Sequence, residues 1–157
     1  MPATATETQP IQTLEIRREE FIEAPIEIAW QAMLDELGPE AQMPDGKSLS
    51  MKLEAWPGGR WFRDLGNNVG HFWGHVQVIK PPGLLEISGP MPMSYPAQNH
   101  IQYRLTAEGS GTRIKFAHQG IGLIPPGDRE GMPKGWQMWL KRIRENAERR
   151  KSGGTRS

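Results

Sequence analysis

The chain has 157 residues, of which 36% are hydrophobic, with a formal net charge of +1 and no cysteine. This size and composition are typical of one globular domain, and the lack of cysteine excludes disulfides, thiolate catalysis and Cys-ligated metal sites. No apolar run reaches the ~18 residues of a membrane-spanning helix, and the N-terminal residues do not resemble a signal peptide. The sequence therefore predicts a soluble, cytoplasmic protein.

The two ends of the chain are predicted to lie outside the fold. Residues 1–12 are polar and rich in Thr and Pro, which is typical of a disordered lead-in. Residues 13–151 are predicted to form a single domain, followed by a flexible tail over 152–157.

Positive charge is concentrated near the C-terminus, where residues 141–157 hold seven Lys or Arg and two Glu. This balance is typical of the solvated face of a helix. No aromatic residue follows Trp139 to stack on bases, so neither nucleic acid binding nor membrane insertion is expected.

The first half of the chain predicts a strand, a helix and a hairpin. The segment LEIRREEFIEAP predicts a strand that ends at Pro25, which also suits the first turn of a helix. One apolar helical face follows, ended by Gly38-Pro39; its members are Ile28, Ala29, Ala32, Met33 and Leu37. SMKLEAW and RWFRDL, joined by the turn PGG, then predict two strands.

The second half predicts four more strands and a closing helix. The strand segments are GHFWGHVQVI, LLEIS, AQNHIQYRLTA and TRIKFAH, separated by Pro- and Gly-rich turns. The helix is expected to start near Pro133; its apolar stripe consists of Trp136, Trp139, Leu140, Ile143 and Ala147. About seven strands and two helices result.

His71 and His75 do not predict a metal site. On a strand they share a face but lie ~13 Å apart, too far for one zinc ion. Alternation predicts an inward face and an outward face: Phe72, Gly74, Val76 and Val78 point in, and His71, Trp73, His75 and Gln77 point out. No metal or cofactor is expected.

Three polar residues share strand faces with apolar neighbours. His118 alternates with Ile114 and Phe116, Tyr103 lies between Ile101 and Leu105, and Arg63 shares a face with Trp61; these are the candidate polar groups. They are either satisfied structural groups or groups that orient a ligand in an apolar pocket. A buried arginine would need a protein carboxylate or an acidic ligand as its partner.

Two segments expected to be loops are unusually apolar. They are GPMPMSYPA at 89–97 and QGIGLIPPG at 119–127. Loops of this composition are expected to cover a cavity mouth, the edge of the core or a partner.

Five segments occur in a familiar order along residues 14–150: FIEAPIEIAW, WPGGRW, GHVQVIKPPGLLEI, GSGTRIKFAHQG and KGWQMWLKRI. Together they resemble the START-related, birch-pollen-allergen-like superfamily, also called SRPBCC. The most similar branch is named for homology to the C-terminal domain of the heat-shock-protein ATPase activator. The resemblance implies an α+β helix-grip fold, a curved antiparallel sheet of about seven strands wrapped round a long C-terminal helix with a cavity between them.

The resemblance also implies which residues face that cavity. They are Trp61, Phe72, Val76, Tyr103, Phe116, His118, Trp136 and Trp139, to which the strand pattern adds Arg63. The short segment 89–97 departs from the family pattern and is expected to narrow or cover the cavity.

Three hypotheses for function follow. The first is binding of a small, partly hydrophobic or aromatic molecule without catalysis. The second is an enzyme of the cyclase or dehydratase kind, with His118 as base and Tyr103 as acid. The third is an interaction module linked to a chaperone. The protein is expected to be a monomer or a homodimer, the dimer following from an exposed Trp73 beside His71 and His75.

Overall fold

The computed structural model describes residues 8–153, which contain one seven-stranded antiparallel sheet and two helices. The strands in chain order are β1 (Gln12–Ile22), β2 (Met51–Leu53), β3 (Arg60–Asp64), β4 (Gly70–Lys80), β5 (Leu84–Gly89), β6 (Ala97–Glu108) and β7 (Gly111–Gly122). The helices are α1 (Ile26–Leu37) and α2 (Pro126–Lys151). Across the sheet the order is β1-β7-β6-β5-β4-β3-β2. This architecture confirms the predicted α+β helix-grip fold.

The ends of the chain lie largely beyond the described part. Of the predicted lead-in, residues 1–7 are outside the described residues, and β1 already begins at Gln12. Of the predicted tail, residues 154–157 are outside them.

The core lies between the concave face of the sheet and the apolar stripe of α2. Trp136, Leu140, Ile143 and Ala147 recur every three or four residues and are buried, as the helical period predicts. The opposing strands contribute large fully buried side chains, among them Trp61. Burial of this apolar surface is the main force that holds α2 against the sheet.

Polar contacts fix the C-terminal half of α2 against α1. Arg150 donates to the carboxylates of Asp35, at 2.7 Å, and Glu40, at 2.8 Å, and all three side chains are about one quarter exposed. The indole of Trp139 donates to the backbone oxygen of Glu36 at 2.7 Å. These contacts lie in the second half of α2. The first half is instead rich in proline and glycine.

The helix α2 begins at Pro126, two turns before the predicted start, so Pro133 lies inside it. Pro126 is tolerated because the first helical N–H has no acceptor within the helix. Pro133 lacks the N–H that would bond to the carbonyl of Arg129. Gly127, Gly131 and Gly135 weaken the same segment further, which explains why its helical character is hard to see in the sequence.

The two apolar segments predicted as loops are only partly loops. Residues 119–122 belong to β7, and Pro126 and Gly127 belong to α2. In the segment between β5 and β6, Met91 and Met93 are buried in the core and Tyr95 packs against it. Of the three alternatives left open by its composition, these contacts support a segment that covers the edge of the core.

The strands β4 and β5 approach each other closely at two glycines. A Cβ atom at Gly74 would lie 2.7 Å from the backbone oxygen of Ser88. A Cβ atom at Gly89 would overlap the Cα of Gly74 and the backbone oxygen of Trp73. Only glycine permits this approach, which adjoins the backbone of Trp73.

Within residues 8–153, no helix combines the length and apolar character needed to cross a membrane.

Candidate functional site

A continuous cluster of aromatic rings occupies the space between the sheet and the first turns of the apolar stripe of α2. The rings of Trp136 and Trp139 are stacked, with centroids 5.5 Å apart and planes 18° from parallel. Trp61 and Trp73 meet edge to face at 5.0 Å, and Trp61 lies 5.7 Å from Trp139. The rings themselves therefore fill much of the region predicted to be an internal cavity.

The aromatic cluster extends to side chains of β6 and β7. Phe116 lies 4.6 Å from Trp136 and 4.9 Å from Tyr103, measured between ring centroids. Tyr103 is fully buried, and its hydroxyl has no hydrogen-bond partner among the described residues. Burial raises the pKa of the Tyr103 hydroxyl far above its ordinary value, because the charged form is poorly solvated. Tyr103 is thus a neutral core side chain.

His118 is fully buried and both of its ring nitrogens are engaged by the protein. The indole N–H of Trp136 donates to Nδ1 at 3.0 Å, so Nδ1 carries no proton. Nε2 then holds the proton and donates to Oδ1 of Asn99 at 2.7 Å. Burial lowers the pKa of His118 to about 4, so the ring is neutral at ordinary pH. These contacts make His118 a link between β7 and α2.

Arg63 lies at the far end of the sheet, and its side chain is half-buried. Its Nε donates to the backbone oxygen of Leu49 at 3.0 Å, and Nη2 faces the sulfur of Met43 at 4.0 Å. A backbone carbonyl therefore satisfies the guanidinium in place of the carboxylate or acidic ligand that the sequence suggested.

The predicted faces of β4 are wrong at Phe72 and Trp73. Phe72 is 38% exposed and Trp73 only 6%, the reverse of the expected placement. The reason is a β-bulge: Trp61 pairs with Gly74 and Phe62 with Phe72, which leaves Trp73 as an extra residue. An extra residue shifts the alternation of side chains by one. Phe72 is therefore not directed towards the interior, and the exposed Trp73 on which the homodimer expectation rested does not exist.

Of the other predicted inward residues, Trp61 and Val76 are buried as expected. Val76 is 2% exposed and Trp61 is inaccessible to solvent. Val78 is only half-buried and Ile79 packs against the core, after a second register shift between Val76 and Val78. His75 is exposed and its Nδ1 lies 3.1 Å from the backbone oxygen of Gly58. No group of three potential metal-ligating side chains occurs in the described part of the chain.

An open groove of about 340 Å³ runs along the first half of α2. Its apolar surface is supplied mainly by three indoles and two thioethers: Trp73, Trp136, Trp139, Met132 and Met138. Its rim is formed by residues before β2 and between β5 and β6, and by the first turn of α2: Gln42, Pro44, Pro92 and Asp128. Of the nine residues predicted to bind a ligand, only Trp136 and Trp139 line this groove.

The groove exists because one face of α2 lacks side chains. Gly127, Gly131 and Gly135 recur every four residues and all line it. A Cβ atom at any of the three would meet no heavy atom within 4 Å. Side chains at these positions would therefore project into open space and occupy the groove.

Three of the four indoles in the cluster donate their N–H to the protein. Trp61 donates to the backbone oxygen of Leu37 at 2.8 Å, while Trp136 and Trp139 donate to His118 and Glu36 as described above. The Nε1 of Trp73 is buried and has no acceptor among residues 8–153. Trp73 is therefore a groove-lining residue whose indole N–H has no acceptor in the described part of the chain.

Asp128 is the only ionisable side chain that lines the groove within the described part of the chain. Its Oδ2 accepts a short hydrogen bond from the hydroxyl of Tyr95, which joins the β5–β6 segment to the first turn of α2. Burial, followed by the nearby carboxylate, raises the pKa of Tyr95 well above its ordinary value. The groove lining therefore contains one carboxylate and no cationic side chain, although the guanidinium of Arg142 donates to the backbone oxygen of the rim residue Gln42 at 2.7 Å.

Sequence reasoning missed Trp73, the two methionines and the glycine stripe. Gly127, Gly131 and Gly135 did carry a signal, because glycines at i, i+4 and i+8 fall on one face if the segment is helical. That signal was hidden because the segment was interpreted as a loop.

A seven-stranded sheet that grips a long C-terminal helix, with an apolar groove beside that helix, defines a helix-grip domain of the SRPBCC type. The family model described as "Activator of Hsp90 ATPase homolog 1-like protein" matches residues 23–148, and the chain belongs to this family. The resemblance inferred from the five segments is thereby confirmed. No curated protein matches the chain.

Several solved structures share the fold. A protein from Rhizobium leguminosarum is similar at 19% identity and a TM-score of 0.69, over 91% of this chain and 99% of the other. The Mll3558 protein from Rhizobium loti is 19% identical with a TM-score of 0.68, over 87% and 99%. CalU16 from Micromonospora echinospora is 20% identical with a TM-score of 0.56, over 93% and 98%. At these identities the likeness concerns the fold alone.

Proposed function

We propose that the protein binds a small, partly hydrophobic molecule in the groove along the first half of α2. The observation that carries this proposal is the groove itself, about 340 Å³ in volume and walled by the indoles of Trp73, Trp136 and Trp139. Small-molecule sites are commonly concave, apolar and ~300 to 1,000 Å³ in volume, with few polar groups. The site differs from the predicted one because it lies beside α2, whereas Tyr103 and Phe116 lie in the packed interior.

The amino-acid composition of α2 supports ligand binding in this groove. Glycine inside a helix costs about 1 kcal/mol relative to alanine, and Pro about 3 kcal/mol. The segment from Pro126 to Gly135 contains three glycines and Pro133, and none of the glycines is required by a close contact with a neighbouring element. These residues lower the stability of the helix and leave one of its faces without side chains. This is expected if a ligand occupies that face.

Replacing Gly131 with leucine should abolish ligand binding and raise the stability of the free protein. The leucine side chain would extend into the groove from a Cβ position that has no atom of another element within 4 Å. Removing a helical glycine should add about 1 kcal/mol to the free energy of unfolding. Native mass spectrometry would identify a molecule that co-purifies, and thermal shift would screen fatty acids, flavonoids, polyketides and aromatic acids against both proteins.

Gly131→Ala is the matched control, because it gives the same gain in helix propensity but fills little of the groove. A thermal shift that survives in Gly131→Ala and is lost in Gly131→Leu supports binding at this site. A shift that persists in Gly131→Leu would place the ligand elsewhere. The proposal fails if no co-purified molecule and no shift are found for the natural sequence.

The enzyme hypothesis finds no support at this site. His118 has both ring nitrogens engaged and neither it nor Tyr103 lines the groove, so neither group reaches a ligand there. A general base must come within hydrogen-bond distance of the proton it removes. Binding to a chaperone and a cytoplasmic location stay predictions.

A further inference from the structure

The indole N–H of Trp73, a residue of the groove wall, has no hydrogen-bond acceptor in the described part of the protein. This donor is buried. Buried donors in native proteins are nearly always paired, so an exception calls for an explanation. An occupant of the groove that carries an acceptor would supply the missing partner.

The walls of the groove favour a flat occupant. Trp136 and Trp139 stack with planes 18° apart, and the three glycines leave the adjacent face of α2 without projecting side chains. Aromatic rings pack best against other rings in stacked or edge-to-face arrangements, both of which this cluster already contains. A planar ring system would fit a slot bounded by indoles and bare helix.

The charge of the groove favours a neutral occupant over an anion. Asp128 is its only ionisable lining residue within the described part of the chain, and the partner of its carboxylate is the neutral hydroxyl of Tyr95. No described lining residue carries a positive charge that would pair with a carboxylate. An anion placed there would be desolvated and repelled by Asp128.

We infer, on the basis of the proposed function, that the ligand is a neutral planar aromatic molecule whose carbonyl oxygen accepts a hydrogen bond from Nε1 of Trp73. The rings pack against the partly buried indole of Trp139 over the glycine face of α2. The Trp73 donor sets the orientation of the molecule in the groove. Because Nε1 is buried, binding requires side chains around Trp73 to move aside.

The test uses two probes of the same tricyclic shape, 9-fluorenone with a carbonyl and fluorene without one. Both are titrated into the ¹⁵N-labelled full chain, and the indole N–H resonances are followed by NMR. Fluorenone should move the Trp73 indole proton downfield and slow its exchange with water, whereas fluorene should cause only ring-current shifts. Trp73→Phe keeps a ring in the groove wall but removes the donor. It should weaken fluorenone binding about tenfold more than it weakens fluorene binding, the effect of one lost hydrogen bond.

Two controls accompany the titration. Trp56→Phe removes an exposed indole outside the groove and should alter neither affinity. Fluorenone-4-carboxylate, the anionic analogue, should bind the natural sequence at least tenfold more weakly than fluorenone. If Trp73→Phe fails to fold, the downfield shift in the natural sequence decides, with the resonance assigned through bonds.

The outcomes separate this inference from the proposed function. Equal losses of fluorenone and fluorene binding in Trp73→Phe, or no loss of either, would overturn the hydrogen bond while leaving a groove that binds ligands. Tighter binding of fluorenone-4-carboxylate than of fluorenone would contradict the inference that the ligand is neutral. If neither fluorenone nor fluorene binds, the inference that the ligand is planar is wrong. The proposed function itself would fail only if the wider ligand screen were also negative.

Discussion

Gly89→Ala is expected to destabilise the protein by about 3 kcal/mol, the upper range for overpacking a tight core site. A Cβ atom at this position would overlap the Cα of Gly74 and the backbone oxygen of Trp73. Both are backbone atoms of β4, so the strain cannot be relieved by rotating a side chain. Either the β4–β5 pairing must open or the bulge that buries Trp73 must shift. Urea denaturation of the full chain measures the change in the free energy of unfolding.

Gly131→Ala is the matched control for Gly89→Ala, since it makes the same chemical change in open space. It should stabilise the protein by about 1 kcal/mol, the opposite sign. If Gly89→Ala proved neutral, the close approach of β4 and β5 would be wrong, together with the geometry that places Trp73 in the groove wall.

Acidification is expected to destabilise the protein through His118. Its folded pKa of about 4 lies below the ~6.5 of an unperturbed histidine, because burial disfavours the charged ring. Between these two values the unfolded chain binds a proton that the folded chain does not, so stability falls as pH falls. The free energy of unfolding should drop by about 2 kcal/mol from about pH 7.5 to about pH 5, and the contribution of this group should level off below about pH 4.

His118→Gln isolates this effect, because an amide can replace both hydrogen bonds and does not titrate. The variant should be less stable at neutral pH. Its free energy of unfolding should nevertheless fall less on acidification, because the contribution of His118 is absent. Chemical denaturation of both proteins at several pH values gives the difference between the two profiles. Parallel profiles would show that His118 is not held neutral by burial and would contradict the Trp136–His118–Asn99 chain.

The regular parts of the fold were predictable because they depend on local periodicity. Period-two alternation and Pro- or Gly-rich turns indicated seven strands, and the spacing from Trp136 to Ala147 indicated the buried stripe of α2. The same patterns placed His118 and Tyr103 inside, where they are. These inferences need only the geometry of one element at a time.

Predictions that depend on a neighbouring element were less successful. Phe72 and Trp73 exchanged faces because the bulge is a property of the β3–β4 pairing, which alternation within β4 does not reveal. The start of α2 was misplaced because the glycines and Pro133 contradict helix propensity, and tertiary contacts override propensity.

The fold class, the inward face of most strands and the apolar stripe of α2 can be predicted from the amino-acid sequence, because side-chain direction follows from backbone period. The location of the open volume depends on how the elements pack together. Whether inward aromatic side chains line a cavity or fill it depends on how closely α2 packs on the sheet, and here the rings of Trp61, Phe116 and Tyr103 fill the interior. The open volume lies instead beside Gly131, where a helix face without side chains meets three indoles, a juxtaposition of elements distant in the chain.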